Sequence, residues 1–288
     1  MKRIGIIAKD MPRATAAARK LEKWLSSRGK KVLLDERTAA AVGVRGCRAQ
    51  ELPALVDMII VLGGDGTLLS AARIVAEAKR NVPIFGVNLG SLGFMAEVSL
   101  DELYAGLGQA LAGKLETLER MMLTAAVIRN GRRIAGYTVL NDAVVSKGAI
   151  ARMVSLEVEV DGDFLTAIRA DGLILATPTG STAYSLSAGG PIIHPAVHCF
   201  VLTPICPHTL TNRPIAIPDD SVVRVKLLSE SEGVSLSLDG QVVAPLLRND
   251  IVEVRKAKRR VKIIKHPTKD YYEILRTKLK WGNLPVGQ

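Results

Sequence analysis

The chain has 288 residues, 48% of them apolar and 23% charged, with a formal net charge of +11. That length allows one large or two ordinary domains with ample core, and the composition excludes a disordered or fibrous chain. The apolar stretch Ile4 to Ala8 is too short for a signal-peptide core, and no run approaches the ~18 apolar residues of a membrane span, so a cytoplasmic protein without a membrane partner is expected. Cys47, Cys199 and Cys206 are odd in number and form no C-x-x-C pair, which reads as reduced, buried thiols.

Residues 3–8 read as a first strand. Pro12 opens a helix that Ala14 to Leu25 continues and Arg28-Gly29 stops. Lys31 to Leu34 is a short strand, and 35–50 is expected to be an irregular connection. The β-branched run Met58 to Leu62 suits a buried parallel strand. It leads into Gly63-Gly64-Asp65-Gly66-Thr67 and then Leu68, Leu69, Ala71, Ala72, Ile74 and Val75 at helical spacing. Val82 to Val87 is another strand, followed by a second glycine-rich loop, Asn88 to Phe94. Ser99 with Glu102 makes a capping box for a helix through about Leu111. Strands alternating with helices specify a doubly wound α/β domain of Rossmann or flavodoxin type, with ligands at the carboxyl ends of its strands.

The 63–67 turn carries the chemistry. Glycines let a phosphate approach the backbone, and the following helix N-terminus presents unpaired N–H groups. A carboxylate at Asp65 must be held off the phosphates, bind a metal or accept a proton, which points to phosphoryl transfer. The bland alternative, an Asp-Gly hairpin turn, is disfavoured by the helical segment that follows.

From about residue 116 the period becomes strand-like: Leu123 to Arg129, Ile134 to Val145, Met153 to Val160, Leu173 to Ala176, Val222 to Leu228, Val234 to Leu238 and Ile251 to Val254. Asn130-Gly131, Asp161-Gly162 and Asp239-Gly240 supply turns. An all-β, sandwich-like second domain is expected, with 1–115 and the tail 267–288 forming the first domain and 116–266 the second. Thr177, Thr179, Ser181 and Thr182 crowd hydroxyls around a Pro and a Gly, more than helix capping needs, and read as a ligand loop. Basic residues cluster from Arg255 to Lys265, but with 4% aromatic residues in the chain and none there this reads as a solvated hairpin rather than a nucleic-acid surface.

Gly63 to Thr67 resembles the signature shared by NAD kinases, diacylglycerol and sphingosine kinases and, with variation, 6-phosphofructokinases. Asn88 to Phe94, Asn141-Asp142, Thr177 to Tyr184, Asp239-Gly240-Gln241 and Thr277-Lys278-Leu279-x-Trp281 narrow the resemblance to the NAD kinases, over roughly residues 4 to 281. The resemblance implies an active site between the two domains, a tail returning to the first, and a homodimer or homotetramer. It implies ATP as phosphate donor, with Mg²⁺ held mainly by phosphates and no protein-built metal site. Asp65 would be the general base toward the 2′-hydroxyl of the adenosine ribose of NAD. Gly63, Gly64, Gly66 and Thr67 would hold donor phosphates, Gly66 also meeting NAD. Asn141 and Asp142 resemble an acceptor-binding pair that is commonly Asn-Glu. Asp171 and the run Thr182, Ala183, Tyr184, Ser185, Leu186 and Ser187 match further NAD contacts, Arg152 and Arg169 would face phosphates, and Gln241 matches a ligand contact. His194, His198, His208 and His266 lack metal-ligand spacing and read as structural.

Two other readings compete. A lipid kinase shares the first motif but lacks the Thr177 to Tyr184 string. A pyridine-nucleotide sensor needs no carboxylate in the phosphate turn.

Overall fold

The computed structural model describes residues 1–78, 80–90, 93–148, 153–209, 211–230 and 233–281. The chain divides into two compact units, Met1–Glu119 with Val261–Gln288, and Arg120–Arg260.

The first unit opens with β1 (Arg3–Ala8), α1 (Pro12–Ser26), β2 (Lys31–Leu34), α2 (Glu36–Val42), α3 (Leu52–Leu55) and β3 (Met58–Gly63). It continues with α4 (Asp65–Glu77), β4 (Ile84–Asn88), β5 (Val98–Ser99), α5 (Leu103–Leu111) and β6 (Thr117–Arg120). The second unit contains β7 (Leu123–Arg129), β8 (Arg132–Val139), β9 (Asp142–Lys147), β10 (Val154–Val160), β11 (Asp163–Ala170) and β12 (Gly172–Ala176). After the short α6 (Tyr184–Ser187) come β13 (Cys199–Ile205), β14 (Ile215–Pro218), β15 (Val223–Leu227), β16 (Val234–Leu238), β17 (Val242–Pro245) and β18 (Ile251–Lys256). The chain returns to the first unit with β19 (Val261–Ile264) and α7 (Tyr271–Leu279).

The first sheet runs β2-β1-β3-β4-β19-β6, with β5 beside β4. β1 pairs in parallel with β2 and β3, and β4 in parallel with β3, β5 and β19. Strands covered on both faces must be apolar throughout, and every residue of β3 is buried. Over the sheet α1 lays Ala14, Ala17, Ala18, Leu21 and Leu25, a stripe at helical spacing, against Ile4, Ile6 and Leu62 in one core.

The second unit is a pair of six-stranded antiparallel sheets, β11-β10-β15-β18-β7-β8 and β14-β13-β12-β9-β16-β17. Their inner faces share one core. Val127, Leu156 and Val225 come from one sheet, and Leu175, Phe200 and Leu236 from the other. Three hairpins turn on an Asn or Asp followed by Gly with both residues at positive φ: Asn130-Gly131, Asp161-Gly162 and Asp239-Gly240, the pairing that a two-residue turn of primed type requires.

Three expectations are corrected. The 35–50 connection contains α2, opened at Asp35 and closed by Gly43 at φ +86°; at seven residues it is too short for periodicity to announce. The strand expected from Ile134 to Val145 breaks at Leu140-Asn141, where the chain leaves the first sheet of the sandwich for the second. The basic segment 251–265 is no hairpin. β18 pairs with β7 and β15 in the second unit, whereas β19 pairs with β4 in the first, so the basic stretch between them is the covalent return from one unit to the other. Among the described residues no helix is long and apolar enough to cross a membrane.

Candidate functional site

Two clusters gather the distinctive residues, one in each unit. The first lies at the carboxyl ends of β3 and β4, where a doubly wound sheet places its ligands. β3 delivers the chain to Gly63 and Gly64, and α4 begins at Asp65. A Cβ at Gly63 would stand 2.3 Å from the Thr67 Oγ1, so only glycine lets that hydroxyl fold back over the turn, while at Gly64 a Cβ would meet open space.

Asp65 is held from the far side. Its Oδ2 accepts the Phe94 amide at 2.9 Å, and its Oδ1 accepts those of Met95 and Ala96 at 3.1 and 2.9 Å. The carboxylate therefore sits in a nest of backbone donors built by the second glycine loop. A Cβ at Gly93 would come within 2.2 Å of Asp65 Oδ1, so that glycine is what admits the carboxylate. Each carboxylate oxygen accepts two hydrogen bonds. Among the described residues Oδ1 is filled and Oδ2 retains one position.

Asp65, Gly63, Gly64 and Gly93 line a cavity of about 300 Å³ together with Lys9 and Lys278. Lys278 arrives on α7, 5.5 Å from the centre of the Phe94 ring. That helix is fixed by its buried Ile274 and Leu275 and by an Asp270 side chain capping Glu273 N. Just before it, Lys269 Nζ reaches Glu102 at 3.1 Å, and His266 Nδ1 accepts the Thr268 and Lys269 amides at 3.1 and 2.9 Å. Burial pushes the Glu102 carboxyl up, but donors from Ser99, Lys269 and His266 outweigh it and hold the group at about 2. Glu102 therefore stays charged and fastens the tail to the capping box that opens α5.

The second cluster lies in the sandwich. At the Leu140-Asn141 break the backbone leaves its ladder, and its polar groups need partners elsewhere. Asp239 Oδ2 accepts the Leu140 amide at 3.0 Å and Oδ1 those of Asn141 and Asp142 at 2.8 and 3.2 Å. The Asp239 amide returns a bond to Asp142 O at 3.0 Å. Thr177 Oγ1 donates to Leu140 O at 2.6 Å, and Thr177 N to Asn141 O at 2.8 Å. Gly180 packs so tightly on this corner that a Cβ would lie 2.2 Å from Asn141 O.

Two polar side chains are left over there. Asn141 Oδ1 is buried with no partner among the described residues, a cost that a ligand donor would offset. Asp142 is 4% exposed. Burial first, and the Asp239 charge second, push its carboxyl up to about 7. Asp239 accepts three amides, which favours its anion, so the neutral form is favoured on Asp142.

The hydroxyl-rich loop differs from expectation. Thr177 and Ser181 are fully buried, Thr177 as above, Ser181 donating to Pro178 O at 2.6 Å and accepting Ile193 N at 2.9 Å. Thr182 Oγ1 donates to Thr179 O at 3.2 Å, and Ser185 Oγ bonds Thr203 Oγ1 at 2.9 Å. These hydroxyls build the turn itself. Tyr184 and Ser187 are exposed beside it, with Ala183 and Leu186 half-buried. Gln241 is exposed, its amide bonded to Leu238 O just past the Asp239-Gly240 turn. Arg169 and Asp171 are exposed at the opposite end of β12 from Thr177, about 20 Å of strand away, so this chain does not bring them to the Asn141 corner. Arg152 lies outside the described residues, as do Ser91 and Leu92 of the second glycine loop. No group of three or more His, Cys, Asp or Glu side chains that could hold a metal occurs among the described residues. Sequence reasoning missed Lys9, Asp239 as an anchor and the amides of 94–96. No local pattern announces them, since each acts across a long sequence separation; Lys278 stood in a noted motif without a role.

Residues 4–115 match the family model described as the ATP-NAD kinase N-terminal domain, and residues 140–266 the one described as the ATP-NAD kinase C-terminal domain. The chain is 52% identical over 284 residues to an NAD kinase of Geobacter sulfurreducens, covering 98% of this chain and 99% of the relative. A similar match, 52% over 285 residues with the same coverage, is to an NAD kinase of Syntrophotalea carbinolica. Among solved structures, yeast NADH kinase complexed with NADH superposes with a TM-score of 0.91 at 25% identity, covering 100% of this chain and 90% of the other. An Archaeoglobus fulgidus NAD kinase in complex with ATP gives 0.77 at 25% identity, covering 96% and 98%. With both family models matched in order across most of its length, the chain belongs to the NAD kinase family.

Proposed function

We propose that this chain transfers the γ-phosphoryl group of MgATP to the 2′-hydroxyl of the adenosine ribose of NAD, giving NADP and ADP. The observation that carries the reading is Asp65: a carboxylate at the head of a thirteen-residue helix, with one acceptor position left on Oδ2, in a cavity shared with two lysines. The ribose hydroxyl gives its proton to Oδ2 as its oxygen forms the new bond to the γ-phosphorus. The bond from that phosphorus to the β–γ bridging oxygen breaks, and ADP keeps the electron pair. The charge spread over the γ-oxygens meets Lys9, Lys278, the Gly63 to Thr67 backbone and the α4 N-terminus. Among the described residues Asp65 is the one carboxylate lining this cavity, and it already accepts three amides; Mg²⁺ is read as part of the substrate, held mainly by its phosphates.

For the acceptor we assign the Asn141–Asp142 corner, with Asn141 Oδ1 receiving a donor and protonated Asp142 giving one to an NAD hydroxyl. The 182–187 segment, Tyr184 foremost, joins it. We further propose a cytoplasmic homo-oligomer built through the sandwich. Its four edge strands each expose a large apolar side chain: Ile134 on β8, Phe164 on β11, Ile215 on β14 and Val243 on β17. Edges of that kind call for covering.

Asp65→Asn is expected to lower kcat by about 10²–10⁴ while NAD binding stays within a few-fold, the pattern for a lost base. Joint loss of the thermal transition and of NAD binding would make Asp65 a loop clamp only. For Asp142, whose proton leaves as pH rises through about 7, KM for NAD should climb across that range and level off above it. Asp142→Asn, a permanent donor, should abolish the dependence; a profile unchanged by the substitution would remove Asp142 from the site. Light scattering at micromolar concentration should give a multiple of 30.9 kDa, and a fully active monomer would refute the assembly.

A further inference from the structure

Helix α7 brings Lys278 to the Asp65 cavity, and little within the helix holds it there. At nine residues it is shorter than the ~12–15 that an isolated helix needs in water, and its buried side chains are Ile274 and Leu275. Lys278 lies near its end, with Nζ 5.5 Å from the centre of the Phe94 ring, a distance that gives a cation–π attraction. The Phe94 amide is one of the three that hold Asp65. The placement of α7 therefore governs both a lysine of the cavity and the loop that aims its carboxylate.

What fixes the helix stands before its first turn. His266, between β19 and α7, is buried. Its Nδ1 accepts the Thr268 and Lys269 amides, the bonds that an Asx side chain makes to the residues after it. They use the Nδ1 lone pair and put the ring proton on Nε2, which lies 3.5 Å from Glu102 Oε2. Burial first and Lys269 second outweigh Glu102 and Glu273, lower the ring's pKa and keep it neutral. Lys269 Nζ reaches the two oxygens of the same carboxylate at 3.1 and 3.3 Å. Glu102 is anchored in turn by Ser99 N and Oγ at 2.9 and 2.7 Å. None of these three side chains is among the described residues that line the Asp65 cavity.

We propose that His266 is a positioning residue for the phosphoryl transfer. With Glu102 and Lys269 it clamps the start of α7, and through that helix it sets the Lys278 ammonium against the charge that develops on the γ-oxygens. The inference rests on the reading that the Asp65 cavity transfers phosphate. The clamp touches neither nucleotide, so opening it leaves NAD binding alone and removes a cation from the transition state.

A double-mutant cycle in the full chain tests it. Lys278→Met should lower kcat by about 10²-fold, the loss typical of one transition-state donor. His266→Phe, which keeps a ring and removes the acceptor, should lower kcat by about tenfold or more with KM for NAD within about twofold. In a chain that already carries Lys278→Met it should lower kcat no further. His266→Asn, whose Oδ1 stands where Nδ1 does, should recover most of the loss. Amide hydrogen exchange should quicken in α7 on His266→Phe and not on His266→Asn, with β3 and β4 protected as in the wild type. Lys269→Met, at a side chain 25% exposed, loosens the same clamp without opening the core. It should repeat the pattern at about threefold, and it takes the place of His266→Phe in the cycle if that chain does not fold. Full activity of Lys278→Met, unchanged kcat in the loosened chain, losses that multiply in the double variant, or α7 exchanging no faster while kcat falls would overturn the proposal. A wild-type chain that makes no NADP would sink the phosphotransferase reading, while α7 loosened by His266→Phe and restored by His266→Asn would leave the clamp standing.

Discussion

The first unit depends on three backbone amides, those of Phe94, Met95 and Ala96, converging on the Asp65 carboxylate. They resolve the conflict of a negative charge inside a phosphate cradle. Fixed N–H dipoles offset the charge, so it need not repel an incoming anion, and they fix its direction without filling its second oxygen. The same bonds tie the end of β3 to the loop after β4, which makes the Gly63–Thr67 turn and its neighbour a single piece. Gly93 is the condition for it, because a methyl group there would occupy the carboxylate's place.

Asp239 repeats the device in the sandwich. A carboxylate set at φ +51° on a hairpin turn takes the amides that a chain switching sheets would otherwise bury unpaired. Burial first, and the proximity of this anion second, raise the Asp142 carboxyl to about 7, well above an exposed aspartate. In both units, then, one carboxylate is spent on three backbone amides. Among the described residues Asp65 keeps one acceptor position on Oδ2, and Asp239 adds to the burial that raises the Asp142 carboxyl.

Much of this was legible in the sequence. Buried β-branched runs ending in glycine turns, and Xaa-Gly turns between alternating segments, carry the two fold classes because period and turn chemistry are local. What stayed hidden is long-range. The hydroxyls of Thr177, Ser181 and Ser185 look like ligand donors until their partners, the Leu140 and Pro178 carbonyls and the Thr203 hydroxyl, are known. β18 and β19 look like a hairpin until β4 claims the second of them. The pairing of Asp65 with residues 94–96 and of Asp239 with 140–142, across separations of 29–31 and 97–99 residues, has no signature in spacing. Arg169 and Asp171 stand at the other end of β12 from the Asn141 corner, a placement that spacing in the sequence does not show.

The central claim is that this chain moves a phosphoryl group from ATP to one particular oxygen of NAD. Phosphorus NMR of the purified chain with NAD and MgATP tests it most directly, since the shift and couplings of a monoester on the 2′-oxygen differ from those on any other hydroxyl. The account predicts growth of that single resonance in step with ADP. A phosphomonoester at another position, or ATP consumed with NAD unchanged, would contradict it.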